Sequence, residues 1–168
     1  ISRLRQSVFE VLEGSVSQIS SALLNKDISF QYEQGWPINQ DLEESLIKSE
    51  SRDIHLKSTQ VGPHRADISI TYDSGSAKKQ VSRGQQKLLA CAMVLGSVEI
   101  VQEHVDNPIL LLLDDPSAEL DKNSLNKLMD EVVAMGSQIV ATSIENHNDF
   151  FPGDYFVFHV EQGIIKSI

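Results

Sequence analysis

The sequence predicts an α/β fold built in layers, and three observations carry that reading. An unbroken apolar run, Ile109-Leu110-Leu111-Leu112-Leu113, has the character of a strand buried on both faces of a parallel sheet. From residue 84 onward, helix and strand patterns alternate, the order that lays helices against such a sheet. Ahead of them the chain is richer in helix, with apolar residues returning at helical spacing from Leu4 to Leu23.

Each element follows in turn. Leu4, Val8, Val11, Leu12, Ile19 and Leu23 predict a first helix, and neither Met nor a capping residue precedes its first turn. The spacing therefore predicts a helix joined part-way and a polypeptide drawn from something longer. Ile28, Phe30 and Tyr32 alternate as in a half-buried strand, which Gly35-Trp36-Pro37 breaks. Trp36 reads as a packing anchor in that loop. Asp41 with Glu44 three residues on forms a capping-box pattern for a helix through about Arg52. Beyond Leu56 a second part begins, in which Ile68, Ile70 and Tyr72 alternate before the turn Asp73-Ser74-Gly75-Ser76. A long helix is expected from Gly84 to His104, with Leu88, Leu89, Ala92, Leu95 and Val98 on its inner side. Asn107-Pro108 ends it and leads into the apolar strand. Leu125, Leu128, Met129 and Val132 mark another helix, Gly136 its end, and Ile139-Val140-Ala141 a short strand. Tyr155 to Val160, the turn Glu161-Gln162-Gly163 and Ile164-Ile165 predict a closing hairpin. There is no internal repeat and no low-complexity tract.

Composition narrows the function classes. The 168 residues suffice for one globular domain, or one domain with a small appendage. A single cysteine, Cys91, excludes an internal disulfide and a multi-cysteine zinc site, and on its helix it reads as a small core residue. The longest apolar run falls far short of the roughly 20 residues of a membrane span, so no membrane association is expected. A net charge of −10 argues against a simple cationic nucleic-acid binder. That charge is uneven. Residues 61–90 carry five basic side chains against Asp67 and Asp73, whereas residues 99–131 carry nine acids against Lys122 and Lys127. A basic stretch beside an acidic one suits phosphate and metal respectively.

The strongest chemical signal is Leu110-Leu111-Leu112-Leu113-Asp114-Asp115. A buried strand ending in two carboxylates puts acid at the C-terminal edge of a parallel sheet, where open α/β folds bind ligands. Successive side chains on a strand point to opposite sides, so the two acids can differ in role. One can hold Mg²⁺ together with substrate phosphates and the other can polarise water, the Walker-B logic of nucleotide hydrolases. Pro116-Ser117-Ala118-Glu119-Leu120-Asp121 follows, with Asp121 placed to cap the next helix. Upstream, Val81-Ser82-Arg83-Gly84-Gln85-Gln86-Lys87 opens the long helix. A serine cap, a glycine allowing close approach and free amide N–H groups together make an anion site.

In that order the motifs resemble the ATP-binding-cassette superfamily, and within it the RecF branch. VSRGQQK is similar to the signature motif, LLLLDD to Walker B, SAELD to the D-loop, and VGPHRADI (Val61 to Ile68) to a further motif typical of that branch. With the closing FHVEQGII, the resemblance covers the chain from about residue 28. It implies a cytoplasmic ATPase of recombinational DNA repair that dimerises on ATP. The same resemblance implies binding to gapped single-strand/double-strand DNA and help in loading the recombinase with RecO and RecR. On this resemblance Ser82, Arg83, Gly84 and Gln85 meet the nucleotide of the other subunit, Asp114 holds Mg²⁺, Asp115 activates water, and Asp121 couples the two sites. Arg65, Lys78, Lys79 and Lys87 are the candidates for DNA phosphates.

Departures from the pattern are equally legible. Arg83 stands where transporter-type cassettes carry Gly, and Asp115 where Glu is commoner, which predicts slow turnover. Where many cassettes have a switch histidine, only the hydroxyls of Thr142 and Ser143 stand as candidates for sensing the γ-phosphate. His64 reads as a hydrogen-bonded structural histidine. No glycine is followed by Lys, so G-x-x-x-x-G-K-[ST] is absent. The chain is therefore expected to be the C-terminal portion of such an ATPase head, unable to hydrolyse ATP alone. Residues 1–56 would be the remnant of a helical arm, and 57–168 the C-terminal lobe with signature motif, Walker B and D-loop. The rival expectations are an SMC-type head, whose long coiled coil the first 55 residues do not show, and a non-catalytic scaffold that keeps the cassette shape.

Overall fold

The computed structural model describes residues 1–118, 120–144 and 153–167, apart from the side chain of Ser167. They fall into two compact units, Ile1–Val105 and Asp106–Ile168.

In the first unit, helix α1 (Ser2–Leu24) leads into strand β1 (Ile28–Glu33), and helix α2 (Leu42–Leu56) follows. A 3-10 turn (Pro63–Arg65), strands β2 (Asp67–Tyr72) and β3 (Gly75–Ser76), the short helix α3 (Ala77–Gln80) and helix α4 (Arg83–His104) complete it. The three strands form an antiparallel sheet in the order β1-β2-β3, with Phe30 opposite Ile70 and Ile28 opposite Tyr72. Residues on either side of position 57 thus share one sheet.

Packing of α1 on α4 makes the core of this unit. Val16, Ile19, Leu23 and Leu24 are buried on α1, as are Leu88, Leu89, Ala92 and Leu95 on α4. The helices approach closely at Gly96, where a Cβ would lie 2.7 Å from Val16 Cγ2 and 2.9 Å from Val16 Cα and N. Beside that crossing, Ser15 Oγ donates to the Gly96 carbonyl at 3.2 Å and also to the Glu99 carboxylate. Burial is confined to the second half of α1. Leu4, Val8 and Val11 belong to the predicted apolar stripe but stand exposed.

Two further sequence expectations shift. The helix begun at Asp41 continues to Leu56 instead of stopping at Arg52, and ends where Lys57 turns left-handed (φ 54°) with its N–H on Asp53 O and Ile54 O. Asp41 Oδ1 accepts the Glu44 N–H at 2.7 Å, while the Glu44 carboxylate turns outward to Lys48. Only one arm of the capping box is therefore made. Gly35, in the loop that ends β1, has φ +95°, and a Cβ there would lie 2.2 Å from Gly62 O, so no other residue fits that approach.

The second unit holds a β-α-β element: β4 (Leu110–Leu113), a 3-10 turn (Pro116–Ala118), helix α5 (Lys122–Ala134) and β5 (Gln138–Ala141). Strands β4 and β5 pair in parallel, with Leu110 opposite Gln138 and Leu113 opposite Ala141. Leu125, Leu128, Met129 and Val132 form the buried stripe of α5, as their spacing predicts. The hairpin β6 (Phe158–Glu161) and β7 (Ile164–Ser167) turns through Gln162 and Gly163, both at positive φ, the geometry that two-residue hairpin loops favour.

The apolar strand is not buried on both faces in this structure. Leu111 is 7 % exposed, but Leu110 and Leu112 are 49 % and 72 % exposed on the opposite face, continued by Val140 of β5 at 50 %. Period-2 alternation sets this split, and among the described residues β5 is the only strand paired with β4.

Candidate nucleotide-binding elements

The two candidate elements lie in different units. In the second unit, the parallel register determines the geometry. Leu113 pairs with Ala141, and the Thr142 N–H continues the ladder to Leu113 O at 2.9 Å. The next residue on each strand, Asp114 and Thr142, therefore stand side by side on the face that carries Leu112 and Val140. Thr142 Oγ1 donates to Asp114 Oδ1 at 2.7 Å and accepts the Asp115 N–H at 3.0 Å.

Asp115 leaves the strand with φ 41°. This left-handed region costs most residues about 1–2 kcal/mol and is tolerated better by Asp and Asn. Two contacts hold the turn: Ala118 N–H donates to Asp115 O at 3.1 Å, and Ser117 Oγ donates to Asp115 Oδ1 at 2.9 Å. Ser117 Oγ also lies 3.3 Å from Ser143 Oγ. Asp114, Asp115, Ser117, Thr142 and Ser143 thus form one cluster of carboxylates and hydroxyls at the C-terminal end of a parallel strand pair. Reading the sequence finds the two acids but misses Ser117. Its signal was a hydroxyl two residues beyond an acid in a tight turn.

Could this cluster take a hard cation? Asp114 is exposed, and Thr142 is the hydrogen-bond partner of one of its oxygens. Among the described residues, no three His, Cys, Asp or Glu side chains gather into a metal site. A single open carboxylate with a neighbouring hydroxyl suits Mg²⁺, which keeps several waters and is usually bound through one or two carboxylates plus substrate phosphates. The donor set fits.

Asp121 sits exposed at the start of α5. Its Oδ1 accepts the Asn123 and Ser124 N–H groups, each at 3.0 Å, and its Oδ2 accepts Ser124 Oγ at 2.7 Å. The Ser124 hydroxyl, and then the backbone amides, hold its carboxyl below the ordinary 3.8. Glu119 of the D-loop pattern lies outside the described residues.

In the first unit, Ser82 caps α4 with a complete capping box. Gln85 N–H donates to Ser82 Oγ at 3.3 Å, and Ser82 N–H donates to Gln85 Oε1 at 2.8 Å. Arg83 is exposed, and Gly84 opens the first turn with nothing within 4 Å of where a Cβ would stand. Among the basic candidates, Lys78 and Lys79 are exposed on α3 and Lys87 is half-buried on α4. Arg65, exposed, spends two of its three guanidinium nitrogens on its own loop: Nε and Nη2 donate to Thr59 O at 3.1 and 3.0 Å, and Nη2 to Ser58 Oγ at 3.3 Å. His64 Nε2 meets the same Thr59 carbonyl at 3.0 Å. Burial pushes the Cys91 thiol up, as for a half-buried helix residue.

Comparison with known proteins adds a family. No protein-family model matches the chain. The DNA replication and repair protein RecF of Nitrosococcus oceani is 30% identical over 173 residues, covering 100% of the chain and 48% of the relative. RecF of Acinetobacter baumannii is 33% identical over 156 residues, covering 89% and 43%. A solved structure of the recombination mediator RecF with ATP superposes with a TM-score of 0.71 at 27% identity, over 99% of the chain and 46% of that protein. A solved structure from work on ATP-driven dimerisation of SMC ATPases reaches a TM-score of 0.59 at 14% identity, a likeness of fold alone. The chain spans about half the length of the curated relatives it matches. Among the described residues no helix is long and apolar enough to cross a membrane.

Proposed function

The chain is a RecF homologue along its whole length, and from that premise we propose that it supplies the signature motif, Walker B and D-loop of a RecF-type ATPase in DNA repair. The observation that carries this reading is the Asp114–Thr142–Asp115 arrangement at the C-terminal end of the parallel strands. The missing G-x-x-x-x-G-K-[ST] loop, together with relatives about twice as long, supports a phosphate-binding half elsewhere in the protein, with this chain as the C-terminal portion. Residues 1–56 then serve as the arm remnant and 57–168 as the C-terminal lobe of the head.

Two subunits meet head-to-tail on ATP. Asp114 would hold Mg²⁺ on the nucleotide of its own subunit, where the ion would supply neutralisation of phosphate charge. Thr142 fixes the rotamer of Asp114 and, through the Asp115 N–H, the turn that aims Asp115. Asp115 orients or deprotonates the attacking water, while Ser117 steadies its carboxylate. From the other subunit, Ser82 and the amide groups around Gly84 contact the γ-phosphate. Gly84 supports this: a helical glycine costs up to about 1 kcal/mol relative to Ala, and no neighbour within the chain needs the space it leaves. Donors at a helix N-terminus act most strongly once a second subunit excludes water around them. Asp121 couples the two sites, and nucleotide binding stabilises the dimer until hydrolysis releases it.

The assembled dimer acts in the cytoplasm on gapped single-strand/double-strand DNA, with Lys78, Lys79, Lys87 and Arg65 toward phosphates, and cooperates with RecO and RecR. Replacing Asp115 by Asn in the RecF-length protein tests the catalytic assignment. The variant is expected to accumulate an ATP-bound dimer, seen by size-exclusion chromatography with light scattering. Turnover at the unmodified rate overturns the role of Asp115.

A further inference from the structure

Tyr72 belongs to none of the motifs, yet it is the residue on which the signature turn is anchored. It is 7 % exposed at the end of β2, and its hydroxyl accepts a hydrogen bond from Gln85 Nε2 at 3.0 Å. The other end of the same amide, Gln85 Oε1, accepts the Ser82 N–H at 2.8 Å. Both ends of the Gln85 side chain are thus committed within the chain. The ring is itself held: Lys26 Nζ lies 5.9 Å from its centroid and pairs with Asp73 Oδ2 at 2.8 Å, while the Asp73 N–H donates to Asp27 O at 2.8 Å.

We infer that Tyr72 is a positioning residue for the signature motif, acting through Gln85 to set the direction in which Ser82 and the first amides of α4 point. The inference rests on the reading above that Ser82 and Gly84 meet a nucleotide held by a second subunit. A capping box alone closes the first turn on itself and leaves that turn free to move as a body. The bond to Tyr72 ties it to β2, whose position is fixed by six paired residues of β1. Donors set in advance by a part-buried strut meet a phosphate without reorganising, whereas donors on a fraying turn must first be ordered. In this role Gln85 acts by supporting Ser82.

Tyr72→Phe removes only the hydroxyl and keeps the packed ring. In the RecF-length protein it is expected to raise the ATP concentration for half-maximal dimerisation about fivefold, the weight of one neutral hydrogen bond. Exchange of the Ser82 amide hydrogen should speed up, and ATP binding to the monomer should stay unchanged. In a Gln85→Met background, the same substitution should add nothing, because the strut is already gone. Equal effects of Tyr72→Phe in both backgrounds, or unaltered dimerisation, overturn the inference. Ser82→Ala separates this failure from that of the underlying reading. If Ser82→Ala abolishes dimerisation and Tyr72→Phe does not weaken it, only the role of Tyr72 falls. If Ser82→Ala leaves dimerisation intact, the contact across subunits falls, and the role of Tyr72 with it. Should Tyr72→Phe fail to fold, Gln85→Met and Gln85→Glu decide together, since Glu keeps the acceptor for the Ser82 N–H and loses the amide donor to Tyr72: weakening in both sustains the strut, and weakening in Met alone refutes it.

Discussion

Thr142 Oγ1 stands between two consecutive carboxylate residues, donating to Asp114 Oδ1 at 2.7 Å while accepting the backbone N–H of Asp115 at 3.0 Å. One hydroxyl thereby fixes both the side chain of the first acid and the turn that presents the second. A hydrogen bond to a charged group contributes about 1.5–3 kcal/mol. Thr142→Val, which keeps the shape and removes the hydroxyl, is expected to slow ATP turnover in the RecF-length protein about ten- to a hundredfold. Thr142→Ser should restore most of it. Steady-state hydrolysis across a Mg²⁺ titration checks both, and a Val variant with normal turnover removes Thr142 from the site.

Gly84 offers a test in which stability and function move in opposite directions. Since nothing lies within 4 Å of its absent Cβ, Gly84→Ala should leave the fold intact and raise its stability by up to about 1 kcal/mol through helix propensity. ATP-driven dimerisation should nevertheless weaken. Thermal melts beside light scattering with and without ATP show whether the two effects separate.

Gly96→Ala makes the contrasting case. The added methyl group would press on Val16 Cα and N at 2.9 Å, backbone atoms that cannot swing aside. Strain of about 1–3 kcal/mol outweighs the propensity gain, and α1 and α4 should part at lower denaturant. A urea titration reads this directly, and Val16→Ala should not restore stability.

Asp121 predicts a pH dependence. Its folded-state carboxyl lies below its unfolded value of 3.8, chiefly through the Ser124 hydroxyl. The cap therefore stabilises the fold at pH values above 3.8, and that contribution is lost as the pH falls through the lower folded value. Asp121→Ala should melt earlier than the parent protein at neutral pH, with the gap closing in acid. A gap that persists or widens in acid contradicts the capping role.

Helical periodicity made most of the fold legible: α4 runs from Arg83 to His104 where the pattern expected Gly84 to His104, and the α5 stripe is buried as spaced. What periodicity reports is an apolar face, and it is silent on which body covers that face. Hence Leu4 and Val8 lie on the helical apolar stripe yet stand exposed, and β4 read as doubly buried while Leu112 is bare. The end of α2 was hidden for a different reason, since its left-handed cap is Lys57 where glycine is the usual signal. At the site, the acidic pair and the Ser82 cap were visible because both are local in sequence. Thr142 was visible only as a hydroxyl near a switch position. Its bond to Asp114 depends on the register between strands 28 residues apart, which no local pattern encodes. Tyr72 was assigned only to a strand, because its partner Gln85 lies beyond a hairpin and a helical turn.

The positive φ of Asp115 bears on how enzymologists should choose their variants. Asparagine shares aspartate's tolerance of that backbone well, so the amide replacement is a chemical knockout that spares the loop. Alanine or glutamine would distort the bend as well as delete the acid, and any loss they caused would confound conformation with catalysis.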